Sequence, residues 1–409
     1  MYFASYLQTA TDLLKNYSGH PPFHQYLKNF FKQHKKYGST DRKQIAQFCY
    51  AYYRVGKAMP NNFSAQRFAA GLWLTSTAKS LAVAYLQPLW PQPNNFSLQE
   101  KINFLQQNIS FNGDEIFGFA QELSLSLNIQ MFQQSHLIQP AMYLRIRPSK
   151  KEVVFKKLAA LNWLYEYVEP NTIKLSSGYA IEQFFNIDEE VCIQDMSSQQ
   201  VKICIQKAQQ ITTRAIQKVW DVCAASGGKS ILVYDTLPSI QLTVSDIRQS
   251  IIQNLHARLN KAGIKKYNTF VLDVTHPSAT LTSLYNTFDL VIADVPCSGS
   301  GTWSRTPEQL VFFNTEKIHT YAATQHKILQ NILPTIKPDG YLLYCTCSVF
   351  KAENEDQIAW LQQQGLQLVH MQYLEGYSQQ ADTLFAALLQ KSKIAFIPTT
   401  CSSGTKKTV

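Results

Sequence analysis

No apolar run in this 409-residue chain reaches the roughly 18 residues that a membrane-crossing helix requires. The opening stretch, MYFASYLQTATDLLKNY, has neither the basic start nor the continuous apolar core of a secretory signal, so a soluble cytosolic protein is expected. The cysteines, at 49, 192, 204, 223, 297, 345, 347 and 401, form no CxxC pair and have no histidines in register. Neither a zinc site nor a disulfide framework is indicated, and a reducing cytoplasm fits. Two nucleotide signatures are missing as well. DVCAASGGKS (221–230) would be a phosphate loop only with glycine where Cys223 stands, and G-x-G-x-x-G is absent, so a phosphate-bearing cofactor loses its main support. Acidic residues are scarce at the N-terminal end: residues 1–130 hold 12 Lys/Arg against 6 Asp/Glu, whereas 131–200 hold 7 against 8. With a formal net charge of +10 and a pI near 9.0, that imbalance suggests an anionic partner, although a basic face is also what an ordinary solvated surface presents.

What is present is enough apolar material, 45% of residues, for two or three cores. Residues 1–130 repeat apolar positions at spacings of three and four (Leu7, Leu13, Leu14; Phe23, Tyr26, Leu27, Phe30, Phe31; Ile45, Phe48, Cys49, Tyr52), the pattern of amphipathic helices packed as a bundle. Gly38 to Arg42 offers capping residues for a helix starting near Arg42, and Ser97 with Glu100 forms a capping box after the loop PLWPQPNNFS. Residues 136–200 read as a small α+β module, with a strand at 142–149, a helix at 149–161 and short strands near 165–168 and 172–175. From 201 to 400 strands and helices alternate. Strands fall near Val219–Ala224, Gln241–Asp246, Thr269–Val274, Leu290–Val295 and Tyr341–Cys347, and the clearest helices at Gln249–Ala262 and Lys317–Ile336, which predicts an α/β doubly wound parallel sheet.

Chemistry-bearing residues sit where these strands end. Open parallel sheets bind ligands in a crevice at the carboxyl ends of their strands. DLVIADVPCSGSGT (289–302) and YLLYCTCSVFKAENE (341–355) each run from an apolar strand into a cysteine followed by turn residues, which brings Cys297 and Cys347 toward one pocket. Asp246, ending the second strand of the alternation, is placed to accept both ribose hydroxyls of a nucleoside, and Asp273, ending the third, to accept from an adenine amino group. A lone strand-end Asp is as often a helix cap, and a lone buried cysteine is usually a small core residue. Three strand-end carboxylates in order, Asp221, Asp246 and Asp273, beside a Gly-Gly turn, and two cysteines at two strand ends, weigh against both blander readings. Cys345 shares a face with Cys347 one pleat deeper and reads as core.

Taken together, DVCAASGGKS, SDIRQS, LDVTHP, DLVIADVPCSGSGT and YCTCSVFKAENE resemble the successive motifs of the Sun family of RNA cytosine-5 methyltransferases, the RsmB type, over residues 136–395 and including QDMSSQ at 194–199. YGSTDRKQIAQFCYAYYRVG (37–56) more loosely resembles the NusB-like RNA-binding domain that such enzymes carry. The resemblance implies a Rossmann-like, S-adenosylmethionine-dependent methyltransferase domain behind a small α+β (RRM-like) module and an N-terminal all-α NusB-like bundle. It implies a cofactor held by Cys223, Ala224, Ala225, Ser226, Gly227, Gly228 and Lys229 and by Asp246, Asp273 and Asp294. It further implies Cys347 as the nucleophile, Cys297 as the residue assisting release, Asp294 on the polar edge of the base, and a monomer acting on RNA, with 16S ribosomal RNA as the target. Departures are Ser226 for the usual proline, Ser230 for threonine, Arg147 for asparagine and Cys345 for serine. Other readings are a tRNA target, a DNA cytosine-5 methyltransferase needing only the first cysteine, a small-molecule methyltransferase needing neither, and an RNA-binding assembly factor with a relic domain.

Overall fold

The computed structural model describes residues 2–176, 178–237 and 239–392. Its strands are β1 (Met142–Ile146), β2 (Tyr165–Glu169), β3 (Thr172–Leu175), β4 (Val191–Ile193), β5 (Lys218–Asp221), β6 (Gln241–Asp246), β7 (Tyr267–Val271), β8 (Phe288–Asp294), β9 (Ile336–Thr346), β10 (Leu366–Glu375) and β11 (Thr383–Lys391).

The N-terminal part is helical, with helices Phe3–Asn16, Phe23–Gln33, Ser39–Arg54, Ala65–Thr75, Leu81–Leu86 and Leu98–Asn108. Their apolar stripes meet in one core that includes Leu14, Phe48, Tyr53, Phe68 and Trp73. The third helix begins at Ser39 rather than near Arg42, because the Asp41 carboxylate turns back to accept the Gly38 N–H at 2.8 Å and so caps an earlier turn. The Ser97/Glu100 capping box forms as the sequence predicts, with Glu100 N donating to Ser97 Oγ and Ser97 N donating to the Glu100 carboxylate. Residues 109–128 carry no α-helix. They cross to the C-terminal half, where Phe117, Phe119 and Leu123 join Trp303, Phe313, Val349 and Phe350 in a buried cluster.

β1 to β4 form an antiparallel sheet in the order β2-β3-β1-β4, backed by the helix Lys151–Ala160 through Leu144, Ile146, Val154 and Leu158. Arg147, the departure from the resemblance just past β1, is buried among acceptors: Nε donates to Asp235 at 2.8 Å, Nη1 to the Asp188 carbonyl at 2.5 Å and Nη2 to the Ala262 carbonyl at 3.1 Å. Arg145 pairs with the same Asp235. An asparagine reaches none of these three partners at once, so this arginine fastens the small module to the large sheet.

The large sheet runs β10-β11-β9-β8-β5-β6-β7. β9, β8, β5, β6 and β7 are parallel; β11 pairs antiparallel with both β9 and β10, so β10 runs in the same direction as those five. Successive side chains leave a strand on opposite faces. Val219, Ile292, Leu343 and Cys345 therefore pack under the helices Lys202–Ile211, Gly228–Thr236 and Gln249–Lys261, and Trp220, Val291, Leu342 and Tyr344 pack under Glu316–Ile332 and Glu355–Gln363. This is the doubly wound sheet that the alternation predicts. Chain order reverses between β5 and β8, which places the ligand crevice at their carboxyl ends. Among the described residues no helix is long and apolar enough to cross a membrane.

Candidate active site

A cavity of ≈ 470 Å³ opens at that reversal, and Cys223, Ala225, Asp246, Asp273, Asp294, Cys297 and Cys347 all line it. A larger hollow of ≈ 660 Å³ lies at the opposite ends of the strands, around Tyr285, His326, Trp360 and Lys391, and contains none of these groups.

The turn after β5 is shaped by two left-handed residues, Ala225 at φ 45 and Gly227 at φ 85. Gly227 opens the helix Gly228–Thr236, and a side chain there is strained at this φ whatever the space around it. Ala224 is buried, its N–H donating to the Ser245 carbonyl at 2.8 Å. Ser226 faces outward, where both its Oγ and its carbonyl accept from Arg258 at 2.9 Å, a tether in place of the proline ring. Ala224, Ser226, Gly227, Gly228 and Lys229 thus build the turn without lining the cavity. Ser230 donates at 2.6 Å to Asp221, whose buried carboxyl is pushed up to about 7 by desolvation.

Lys229 reaches Asp294, its Nζ 2.7 Å from Oδ2. Burial works against the Lys229 charge, yet Asp294 beside it holds the ammonium above its usual range. Asp246 shows the same contest: burial opposes its charge, and the Arg248 guanidinium with the backbone donors holds the carboxyl below the usual range. β7 stops at Val271, so Asp273 lies two residues past the strand rather than within it. There its Oδ1 accepts from Thr275 Oγ1 at 2.6 Å and from Thr275 N at 2.9 Å, and Oδ2 lies 3.1 Å from His276 Nδ1.

The two cysteines meet. Their Sγ atoms stand 3.2 Å apart, in contact and well beyond the roughly 2.05 Å of a disulfide. Cys297 is held as a thiol, raised by its contact with Cys347, by burial and by the nearby Glu353 charge. Cys345 is fully buried in the core, with its thiol raised by desolvation.

Glu353 and Asn354, which carry no assigned role in the sequence reading, brace the loops that hold both cysteines. Glu353 Oε2 accepts from Ser298 N and Gln325 Nε2, each at 2.9 Å, and Oε1 accepts from Ser348 Oγ at 2.7 Å, so one buried carboxylate grips the residue after each cysteine. Asn354 Oδ1 accepts from Thr346 Oγ1 at 2.6 Å, and its Nδ2 donates to the Ser348 carbonyl at 2.8 Å. Gly301 permits the approach: its N–H donates to the Cys347 carbonyl at 2.9 Å, and a Cβ there would fall 1.9 Å from the Thr383 carbonyl oxygen. The only sequence signal for the brace is the acidic cluster after a strand-end cysteine, which names no partner. Glu353→Gln keeps the shape but turns an amide donor toward buried donors. It is expected to cost about 1–3 kcal/mol of stability, read as a lowered thermal midpoint. An unshifted midpoint would show that the carboxylate is not what holds the two loops.

The methyltransferase family described as 16S rRNA methyltransferase RsmB/F matches residues 208–400. A ribosomal RNA small subunit methyltransferase B of Xanthomonas campestris pv. campestris is 30% identical over 238 residues, covering 54% of this chain and 52% of that one. The namesake of Pasteurella multocida is 28% identical, covering 54% and 49%. The chain thus spans about half the length of the curated relatives it matches. Among solved structures, that of PH0851 shares the fold over 93% of this chain and 97% of that one, with a TM-score of 0.66 at 20% identity. NSun6 from Pyrococcus horikoshii, solved with SFG, shares it over 68% and 98%, with a TM-score of 0.58 at 13% identity. Residues 208–400, which build most of the cavity wall, match the RsmB/F methyltransferase family, and the wider fold is shared with PH0851 and NSun6.

Proposed function

We propose that this protein methylates carbon 5 of a cytosine in small-subunit (16S) ribosomal RNA, with S-adenosylmethionine as cofactor, through a covalent bond between Cys347 and carbon 6 of the base. The observation that carries this reading is the pair of cysteines in contact on the wall of the cavity that the strand-end carboxylates also line.

The residues present fit such a cofactor. The cavity presents Asp246 for ribose hydroxyls and Asp273 for an adenine amino group, between apolar walls that include Ile247, Leu272 and Val274. When bound, S-adenosylmethionine supplies an electrophilic methyl group. The protein's task is to make carbon 5 of cytosine nucleophilic. The Cys347 thiolate adds to carbon 6, and the electrons of the 5,6 double bond move to carbon 5 and into the polar edge of the ring. Asp294, paired through Oδ2 with Lys229, accepts from the exocyclic amino group of that edge and so orients the base for attack. Once the Cys347 sulfur is bonded to carbon 6 it no longer opposes a charge on Cys297, whose proton passes to water; the Cys297 thiolate then takes the carbon-5 proton, the 5,6 double bond re-forms and Cys347 leaves as the thiolate. Because the reacting carbon lies within a stacked base, the nucleotide must be splayed out or taken from a loop. The exposed cations Lys28, Lys32, Lys35, Lys36, Arg42 and Lys43 of the helical region supply sequence-independent attraction for the phosphates.

The test is direct. Purified protein with methyl-tritiated S-adenosylmethionine and deproteinised small-subunit RNA is expected to yield, after digestion to nucleosides, label that co-migrates with 5-methylcytidine. Label in any other nucleoside, or none from a protein that binds both substrates, would overturn the reading.

A further inference from the structure

Asp246 is nearly buried, its side chain 5% exposed, and each of its oxygens takes two donors. Oδ1 accepts from Arg248 N and Arg248 Nε, both at 3.0 Å, and Oδ2 accepts from Ala225 N at 3.1 Å and Arg248 Nη2 at 3.2 Å. A carboxylate offers about four lone-pair sites, so this one is saturated. Two of its donors are backbone N–H groups fixed by the turns after β5 and β6. The other two are the planar fork of a single guanidinium, lying along one edge of the carboxylate.

A ribose diol also presents two adjacent donors to a carboxylate edge. With both backbone donors in place, the only sites it can take are those the guanidinium occupies. We propose that Arg248 and the ribose diol of the cofactor are alternative occupants of one edge of Asp246, so that Arg248 sets the affinity and selectivity of the site by having to leave it. This rests on the reading of Asp246 as the ribose acceptor.

The exchange is asymmetric in a useful way. The Arg248 side chain is 57% exposed and lines the rim of the cavity, so on leaving it passes into water at small cost. Asp246 cannot follow it. Departure of Arg248 without replacement strands a buried charge, which is expensive. The pair therefore opens for a ligand that brings two donors and stays closed for one that does not. Arg248 keeps the empty carboxylate oriented and makes the intact 2′,3′-diol a condition of tight binding. Nothing in SDIRQS announces this, because an arginine two residues past a strand-end Asp reads as surface charge.

The experiment is calorimetry on the full chain at pH 8 with S-adenosylhomocysteine and its 2′,3′-dideoxy analogue, using wild type, Arg248→Ala and Asp246→Ala. Arg248→Ala is expected to bind S-adenosylhomocysteine roughly two- to fivefold more tightly, the size of the exposed ion pair no longer broken. The gain should vanish with the dideoxy analogue, which has nothing to exchange for the guanidinium. Asp246→Ala is expected to bind roughly ten- to a hundredfold more weakly. If Arg248→Ala weakens or leaves unchanged the binding of S-adenosylhomocysteine while Asp246→Ala weakens it, Asp246 stands as the ribose acceptor and the exchange is wrong. An equal gain with both ligands also overturns it, since the effect then does not run through the diol. If Asp246→Ala binds normally, the ribose assignment itself fails and takes the proposal with it. Thermal midpoints of both variants, measured with and without ligand, separate a folding defect from a change in affinity.

Discussion

Cys347→Ala is expected to abolish methyl transfer, by roughly three orders of magnitude or more, while leaving non-covalent RNA binding intact. Without that thiolate no bond to carbon 6 forms, and carbon 5 stays unreactive. Cys297→Ala is expected to fail later. The adduct forms and accepts the methyl group but resolves slowly, so a covalent protein–RNA species accumulates and survives denaturing electrophoresis. That band should require S-adenosylmethionine if methylation precedes the blocked step, and should vanish in the double variant. Contact with the Cys347 sulfur, burial and the nearby Glu353 charge all raise the Cys297 thiol. Should Cys347→Ala trap the adduct and Cys297→Ala trap none, the roles are exchanged and the chain uses the arrangement of the DNA enzymes. If neither substitution alters methyl transfer, there is no covalent step.

Much of this was legible because parallel strands advertise themselves. β8 and the end of β9 carry apolar runs closed by turn residues, β6 alternates Leu242 and Val244 with polar residues, and the residues that end all three arrive at one crevice by topology alone. Asp246, Asp294, Cys297 and Cys347 could therefore be placed in a common pocket before any contact was known. β10 is invisible to the same reasoning because its register slips between Leu368 and His370, which breaks the alternation that marks a strand. β4 is too short to carry a pattern. The first turn of β9 is hidden by Pro338 and by Asp339, whose φ of 62 belongs to a turn. Asp273 lies farther past its strand than the sequence suggests, since LDV continues the apolar run after pairing with β6 has ended at Val271. Least legible were residues whose meaning is a partner far away in sequence: Arg147 with Asp235, Arg258 with Ser226, and Glu353 with Ser298. A charge in a sequence shows its sign and not its neighbour.

The second large effect is expected from Trp303, where the loop bearing Cys297 meets the segment descending from the helical region. Trp303 is 1% exposed. Its ring lies 5.4 Å from Phe117, 5.6 Å from Phe119 and 4.7 Å from Phe313, and its Nε1 donates to the Ser298 carbonyl at 3.3 Å. Phe117 and Phe119 belong to the stretch 109–128, which carries no α-helix, so one indole packs the N-terminal part of the chain against Ser298, the residue that follows Cys297. The seam continues outward, where Glu308 accepts from Phe23 N at 3.2 Å at the start of a bundle helix and Phe312 packs 5.3 Å from Tyr17. Trp303→Ala empties the middle of this cluster and is expected to lower stability by about 3–5 kcal/mol, the range for removing a large buried aromatic side chain. Trp303→Phe keeps most of the packing and loses only the hydrogen bond to Ser298. It should be far less destabilised and yet slower in methyl transfer, because the carbonyl beside Cys297 is no longer held. Denaturant unfolding and methyl transfer measured on both variants make the comparison. A Trp303→Ala protein within about 1 kcal/mol of wild type would mean that the seam does not fasten the two halves. A Trp303→Phe protein of full activity would mean that the loop is held by Glu353 and Gly301 alone.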